Sequence, residues 1–386
     1  MNLDTVTAVY AGSMRISYGV IIVTLAFAAS CLMTFSLALS GKEKASVRVR
    51  QIVSLIMYAG FAGLLAAFFG RCIYWYSHFE SYDGLSGALS GFEGCYHEAG
   101  IILGFFIASV MSSFFVGKGF AGKMMSASAC GCMLFMTLVS LVSMFNDSDR
   151  GKAVITDPYY QRLPYSYITN VAGGGTEYRN AVFFWKFIVL AVVTLISFIL
   201  FVLEKTALLT YVCYFSSMAL LDSARYDASF LRSNGFVSLM QIVAGVFLLV
   251  TMIACLIRSV KKRGFHIFQV LLVLLFLAGI GMVGYMEYYV QRHGDLYVFC
   301  YLVMSCACLA MTVSVWALYA SVKARRTEDD AEDGDESSDD SDDDSAEDEV
   351  SDDADEGTDD DTDEDTDGSD ILDDSEDITA YVNEKK

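Results

Sequence analysis

A histidine, a thiol and two carboxylates stand together in the stretch GFEGCYHEAG (residues 91–100), directly before the apolar run IILGFFIASVM. The ionisable groups that could move a proton are Glu93, His97 and Glu98. A helix N-terminus favours anions and keeps a nearby imidazole neutral, so His97 is a candidate general base. The alternative is that His97 forms hydrogen bonds at the membrane interface and has no chemical role.

An arginine at the end of another apolar run is the second candidate. Arg71 follows Gly70 in AAFFGRCIYWYSHFE. An arginine at this depth either extends its charged head to the interface or holds a phosphate, because its forked donors match phosphate oxygens. The residues alone leave both interpretations open.

A third group lies in the segment LLDSARYDASFLRSNGFVSLMQIVAG (220–245). Asp222 and Arg225 are three positions apart, so they share a face if the segment is helical. Asp227 follows, and Gln241 enters the next apolar run. A surface ion pair without function is the alternative interpretation.

All of these residues border apolar segments that are long enough to cross a membrane. The chain is 54% hydrophobic, with a mean hydropathy of +0.44, and about 20 apolar residues span a bilayer as a helix. We therefore expect an all-α integral membrane protein. Its nine predicted helices lie at roughly 16–40, 50–77, 100–117, 126–145, 181–203, 206–222, 235–257, 266–289 and 297–321.

The distribution of lysine and arginine predicts the orientation of these helices. Basic loops at 41–50, 117–123 and 258–264 alternate with loops that have few basic residues. By the positive-inside rule, the amino terminus lies outside and the carboxyl terminus inside. The long external loop 146–180 carries five tyrosines, and we expect it to pack at the membrane interface.

The charge of the chain divides it into a membrane part and an acidic tail. Of its 47 acidic residues, 32 lie from Glu328 onward, where there are only two lysines. This composition predicts a disordered cytoplasmic tail over 327–386, whose partner is unknown and which does not bind nucleic acid. The membrane part divides into 1–258 and two further helices over 259–326.

The ten cysteines do not indicate a metal or disulfide site. No CxxC pair is present, and several cysteines lie within apolar runs. Neither a disulfide framework nor a zinc site is supported, so we expect no metal and no cofactor.

The order of these elements carries a family resemblance. The first helix opens with Ser17-Tyr18-Gly19, the second ends with Gly70-Arg71, and a Glu-Gly stretch containing His97 opens the third. A segment with Asp222 and Arg225 then precedes a helix that opens Ser-x-x-Gln. Over roughly residues 14–258 the chain resembles the prolipoprotein diacylglyceryl transferase family.

The sequence departs from the family pattern after the fourth helix. The family signature there is Gly-Arg-x-Gly-Asn-Phe-x-Asn-x-Glu. Aligned on Phe145, the chain has Leu141 at the arginine and Met144 at the first asparagine. Only Phe145, and Asp149 in place of the glutamate, keep the family's residue type.

The resemblance implies an enzyme of lipoprotein biosynthesis in a bacterial-type plasma membrane. It implies transfer of a diacylglyceryl group from phosphatidylglycerol to the lipobox cysteine thiol in the signal peptide of a prolipoprotein. The implied catalytic residues are His97 as base, Tyr18, which orients the lipid head, and Arg225. The implied phospholipid-binding residues are Arg71, Gly70, Asp222, Asp227, Asp149 and Gln241.

Two other functions compete with this one. Leu141 removes an expected phosphate contact, which favours a catalytically inactive paralogue that still binds phospholipid or lipopeptide. A transporter is also compatible with nine helices. However, the sequence shows no internal repeat and no paired discontinuous helices, which are the usual indicators of transport.

Overall fold

The computed structural model describes residues 8–11, 14–41, 45–77, 96–115, 118–146, 148–171, 175–203, 207–226, 228, 237–293 and 296–335. Three sequence predictions therefore lie outside the described residues: Glu93, Asp227 and the tail beyond Asp335. Residues Met1–Asp333 form one compact unit. The second unit, Gly334–Lys386, contributes only its first two residues to the described range.

The described chain is mostly helical, and each of the nine segments predicted from hydropathy contains a helix. The nine main helices of the described residues are α1 Tyr18–Ala38, α2 Ala45–Ser77, α3 Glu98–Phe114, α4 Lys118–Val139, α5 Val182–Val202, α6 Ala207–Ser223, α7 Leu239–Arg263, α8 Ile267–His293 and α9 Tyr297–Asp335. A short 3₁₀ turn and one helical turn extend α4 to Asn146.

Seven of the described helices are long and apolar enough to cross a membrane. The exceptions are α3 and α6, which have 17 residues each. At 1.5 Å per residue, such a helix is about 26 Å long, slightly short of a hydrocarbon core of about 30 Å. Most of α6 is buried within the protein, which explains why its sequence contains more polar residues than a lipid-facing helix. The expectation of nine spans stays a prediction for these two helices.

Capping residues fix where several helices begin. The Ser17 hydroxyl accepts a hydrogen bond from the Val20 N–H at the start of α1. Ser238 and Gln241 form a reciprocal capping box at the start of α7. Such caps satisfy N–H groups that have no partner within the helix.

The loop 146–180 folds into a three-stranded antiparallel sheet, which the all-α prediction missed. Its strands are β3 Arg150–Val154, β4 Ser166–Val171 and β5 Gly175–Ala181, in the order β3-β5-β4. A separate hairpin pairs β1 Ala8–Ala11 with β2 Met14–Ser17. Two tyrosines of the loop pack against the start of α5: Tyr165 lies 5.9 Å from Trp185 and Tyr167 lies 5.6 Å from Phe183, measured between ring centroids. Tyr159 and Tyr160 are exposed. Packing of the loop at a membrane interface stays a prediction.

Glycines allow α2 and α3 to touch backbone to backbone. A Cβ atom on Gly100 would lie 2.3 Å from the Phe69 carbonyl oxygen, and one on Gly104 would lie 2.3 Å from the Ala66 nitrogen. Small residues permit this close approach between membrane helices. The contact places the end of α2, with Gly70 and Arg71, against the start of α3.

Candidate functional site

The candidate residues gather at one end of the helices. They lie where α1, α3, α5 and α7 begin and where α2 and α6 end, and the sheet joins the same region through β3. The described members are Tyr18, Gly70, Arg71, His97, Asp149, Asp222, Arg225 and Gln241. Most of these residues belong to two side-chain clusters, and the two clusters contact each other.

The first cluster joins the end of α2 to the start of α3. The His97 N–H donates to the Gly70 carbonyl at 3.0 Å, and His97 is the N-cap of α3. Its Nδ1 accepts a hydrogen bond from the Ala99 N–H at 3.3 Å. An accepting Nδ1 places the proton of a neutral imidazole on Nε2. In this conformation the Nε2 of His97 is a hydrogen-bond donor and has no lone pair with which to accept a proton.

Arg71 belongs to the same cluster. Its guanidinium carbon lies 5.5 Å from the centroid of the Tyr96 ring, and the residue is only 7% exposed. Burial argues against an arginine that extends freely into solvent. The ring of Tyr96 also contacts the Cβ position of Gly70 at 3.2 Å, so one tyrosine packs against both.

The second cluster is centred on Asp149, which is almost fully buried at 3% exposure. Its carboxylate lies 2.7 Å from the Arg225 Nε and 3.2 Å from the Lys186 Nζ. The Ser143 hydroxyl donates to it at 2.7 Å. Asp149 has a φ of 55°, a left-handed conformation that aspartate tolerates better than most residues. The turn at this residue lets the chain leave α4 and enter β3.

Lys186 connects Asp149 to the start of α3. It lies in the apolar helix α5 and is 2% exposed. Its ammonium group also donates to the Glu98 carboxylate. Glu98 in turn lies 3.9 Å from the Arg225 guanidinium. Because Glu98 follows His97 directly, the two clusters are continuous.

Asp222 holds Arg225 from the other side. The Arg225 Nη1 donates to the Asp222 carboxylate at 3.0 Å. The two residues pair although α6 ends at Ser223, so Arg225 lies beyond the helix whose spacing suggested a shared face. The Ser238 hydroxyl donates to the same carboxylate. Gln241 does not contact Arg225 in this arrangement. Its Oε1 accepts from the Ser238 N–H at 2.9 Å, so it orients the residue that contacts Asp222.

The sheet fixes the backbone around Arg225. An isolated antiparallel bridge pairs Gly151 of β3 with Arg225. The Lys152 N–H donates to the Ala224 carbonyl at 3.0 Å. On the far side, the guanidinium of Arg179 lies 4.5 Å from the centroid of the Tyr226 ring. Arg225 is therefore held through its main chain as well as its side chain.

The charges of the second cluster nearly cancel. Glu98, Asp149 and Asp222 supply three carboxylates, against the two cations Lys186 and Arg225. Burial would raise the pKa of Asp149, but the charges of Arg225 and Lys186 and the Ser143 hydrogen bond outweigh it and lower this pKa below its usual range. Asp149 is therefore ionised at neutral pH.

The cluster has one accessible side. The side chains of Glu98 and Arg225 are each 18% exposed, whereas those of Lys186, Asp149 and Asp222 are at most 5% exposed. Glu98 and Arg225 are also the most widely separated of the ion pairs in this cluster, at 3.9 Å. An incoming anion would reach Arg225 here at Nη1 and would compete with Glu98 and Asp222, which both lie near that atom.

The remaining predicted residues lie near this region. The Tyr18 ring lies 5.4 Å from that of Phe145, between centroids, just before the Asp149 turn. Leu141 is half-buried in the 3₁₀ turn after α4. Arg150 donates to Thr169, and Arg179 donates to Glu177, so these two arginines of the sheet support the sheet itself. Arg162 is exposed.

Sequence reasoning missed Lys186 and the contacts of Glu98. A signal for Lys186 was present, because it is a single lysine within the apolar run VFFWKFIVLAVV. Ionisable residues within membrane segments are costly unless they are paired. Pairing across different helices could not be deduced from one sequence.

Among the described residues, no group of three or more histidine, cysteine, aspartate or glutamate side chains could hold a metal ion. In comparisons with known proteins, no family model, no curated protein sequence and no solved structure matches this chain.

Proposed function

We propose that this multi-pass membrane protein transfers a diacylglyceryl group from phosphatidylglycerol to the lipobox cysteine of a prolipoprotein. The proposal rests mainly on the side chains that surround Arg225. Asp149 and Asp222 orient its guanidinium, and its accessible side opens at the same end of an apolar bundle as Arg71 and His97. That arrangement suits a lipid whose tails lie between helices and whose phosphate lies at their ends.

The reaction needs a thiolate, a positioned lipid and a stabilised leaving group. The cysteine thiolate attacks the glyceryl carbon that carries the phosphate ester. A sulfur–carbon bond forms, the carbon–oxygen bond breaks, and glycerol phosphate leaves with the electron pair. The thiol's proton must pass to a base, because the neutral thiol is a poor nucleophile. No cofactor is required.

The residues divide these tasks between them. Arg71 and Arg225 bind the phosphate, since guanidinium donors match its oxygens and stabilise its developing charge. Asp149 and Asp222 orient Arg225. Tyr18 orients the lipid head. His97 is the base. This role requires either that Nδ1 release the Ala99 N–H and accept the proton itself, or that the imidazole proton move from Nε2 to Nδ1 so that Nε2 can accept.

The distribution of basic residues supports a plasma-membrane orientation with the site outside. At the ends of the helices opposite the site, Arg48 donates to the carbonyls of Leu39 and Gly41 and Lys123 donates to that of Ser40. Lys261, Lys262 and Arg263 close the last turn of α7. Positive residues favour the cytoplasmic side. The acceptor signal peptide would then reach the site from the external face.

A second candidate function is phospholipid binding without catalysis. Two observations favour it. His97 uses its Nδ1 lone pair to cap α3, and Leu141 provides no charge where the resemblance expects an arginine. A protein of this kind would bind the lipid through the same Arg71 and Arg225 but would leave a precursor unmodified.

Complementation of a bacterial strain depleted of its own transferase separates these functions. The chain, an Arg225→Gln variant and an Arg162→Gln control would be expressed, and precursor lipidation would be followed by mass spectrometry. We expect modified precursor with the chain and the control, and none with Arg225→Gln. Unmodified precursor with the folded wild-type chain, together with retained phosphatidylglycerol binding, would favour the second function.

A further inference from the structure

A further buried carboxylate lies beside the cluster around Asp149 and Asp222, on a helix outside the family resemblance. Glu287 of α8 is 2% exposed. Its Oε1 accepts hydrogen bonds from the Lys152 Nζ at 3.1 Å and the Gln291 Nε2 at 2.7 Å. Its Oε2 accepts from the Ser223 hydroxyl and from the Gln241 Nε2 at 3.2 Å. Four donors therefore surround one carboxylate, and each of its oxygens accepts two hydrogen bonds.

The donors from other elements all lead back to Arg225 and Asp222. Ser223 follows Asp222 directly at the end of α6. Gln241 orients Ser238, whose hydroxyl donates to the Asp222 carboxylate. Glu287 therefore reaches Asp222 by two routes. One is a hydrogen bond to Ser223, the chain neighbour of Asp222. The other is a series of three hydrogen bonds through Gln241 and Ser238.

Lys152 supplies a third path, through the sheet. Its side chain donates to Glu287, while its backbone N–H donates to the Ala224 carbonyl, directly before Arg225. The adjoining bridge between Gly151 and Arg225 belongs to the same strand pairing. Glu287 thus restrains the sheet, the end of α6 and the start of α7 at one point.

A second contact ties the additional helices to the same place. The Tyr301 hydroxyl of α9 donates to the Ser223 carbonyl at 3.3 Å. Both helices outside the resemblance therefore reach Ser223, one through Glu287 and the other through Tyr301. Polar contacts of this kind join helices where lipid provides no hydrophobic driving force.

We infer that Glu287 is a positioning residue that holds Arg225 and Asp222 in their binding geometry, and that α8 and α9 complete the site. The effect of Glu287 on lipid transfer rests on the proposed function, whereas its restraint on the position of Arg225 does not. The alternative is that Glu287 only anchors α8 and affects stability alone.

Chemical modification of arginine distinguishes these two roles in the full-length chain. Phenylglyoxal modification of Arg225 would be followed by peptide mass spectrometry in detergent-solubilised protein, with exposed Arg162 as the internal reference. The variants are Glu287→Gln, Lys152→Met, which removes one donor but keeps the carboxylate, and the control Asp157→Asn. Asp157 is exposed, and its Oδ1 accepts a hydrogen bond from the Tyr159 N–H.

We expect Glu287→Gln to raise the modification rate of Arg225 relative to Arg162 about fivefold or more. Lys152→Met should raise it by less, and Asp157→Asn should leave it unchanged. If Glu287→Gln lowers the melting temperature but leaves the relative rate at its wild-type value, Glu287 is an anchor and the inference is wrong. If Glu287→Gln does not fold, Lys152→Met decides by the same criterion.

A kinetic measurement separates this inference from the proposed function. Where the wild-type chain transfers lipid, Glu287→Gln should raise KM for phosphatidylglycerol by about the same factor as the modification rate. Where the wild-type chain transfers nothing, the proposed function fails, while the modification rates still decide the role of Glu287.

Discussion

The Nε of Arg225 lies 2.7 Å from the carboxylate of Asp149, across the boundary between the helices and the three-stranded sheet. Asp149 follows α4, whereas Arg225 follows α6. One contact therefore fixes both the turn into β3 and the orientation of the guanidinium. The proposed phosphate site depends on this pair, and the predictions begin from the charges around it.

Removal of Lys186 should strongly destabilise the protein. Lys186→Met removes one of the two cations that Asp149 and Glu98 share in a buried setting, and leaves only Arg225. Loss of one partner from a buried ion pair costs about 3–5 kcal/mol. Reversible unfolding in mixed micelles measures this, with Lys261→Met at an exposed helix end as the control. Equal stability of the two variants would mean that the cluster contributes nothing to the fold.

Stability should fall at low pH because of Asp149. Its pKa is lowered in the folded protein by Arg225 and Lys186, which outweigh its burial. An aspartate with a depressed folded pKa stabilises fully above its unfolded pKa of about 3.9 and loses that contribution as pH falls towards the folded value. The advantage of the wild-type chain over Asp149→Asn should shrink by about 1.4 kcal/mol per pH unit below pH 4.

Unfolding of both chains between pH 7 and pH 2.5 tests this pH dependence. A constant difference between the wild-type chain and Asp149→Asn across that range would show that the carboxylate has an ordinary pKa. It would also show that the contacts with Arg225 and Lys186 do not favour its charged form.

Two substitutions of His97 separate capping from proton transfer. His97→Ala removes the cap of α3 and should cost about 0.5–2 kcal/mol, whereas His97→Asn restores a good capping side chain. If His97 is the base, both variants lose transfer although only the alanine variant loses stability. Transfer by His97→Asn at the wild-type rate would assign His97 to the helix cap alone.

Substitution of Arg71 by lysine should show whether the phosphate is bound by a bidentate guanidinium or only by a positive charge. Arg71→Lys keeps the positive charge but loses the bidentate geometry and the stacking on Tyr96. Loss of one charge-assisted hydrogen bond predicts a rise of about tenfold in KM for phosphatidylglycerol. The control is Arg162→Lys on the exposed 3₁₀ turn, which should match the wild-type chain. An unchanged KM for Arg71→Lys would place the phosphate elsewhere.

Hydropathy predicted the helices because each membrane helix must satisfy its own backbone in lipid. It could not show that α6 is enclosed by other helices, since an enclosed helix and a marginal span have similar composition. The sheet was missed because its strands are short and lie within a loop rich in tyrosine and glycine. Pairing between β4 and β5 depends on contacts that local sequence does not determine.

The site was predicted in part. Asp222 and Arg225 were paired by their helical spacing, and the structure brings Asp149 to the same guanidinium. Lys186 and Glu287 carried a detectable signal, because Lys186 is the only charge in α5 and Glu287 is the only acidic residue in α8. Their partners come from distant parts of the chain, so one sequence could not identify them. The hydrogen bond at the Nδ1 of His97 likewise depends on the exact start of α3.

The most direct test of the central claim is a transfer reaction with the purified full-length chain in phosphatidylglycerol nanodiscs. A lipobox signal peptide with one cysteine is the acceptor, and mass spectrometry follows both products. We expect a thioether-linked diacylglyceryl peptide together with an equal amount of glycerol phosphate, and neither product with Arg225→Gln. An unmodified peptide and no glycerol phosphate, from folded wild-type protein that binds the lipid, would contradict the proposed transfer.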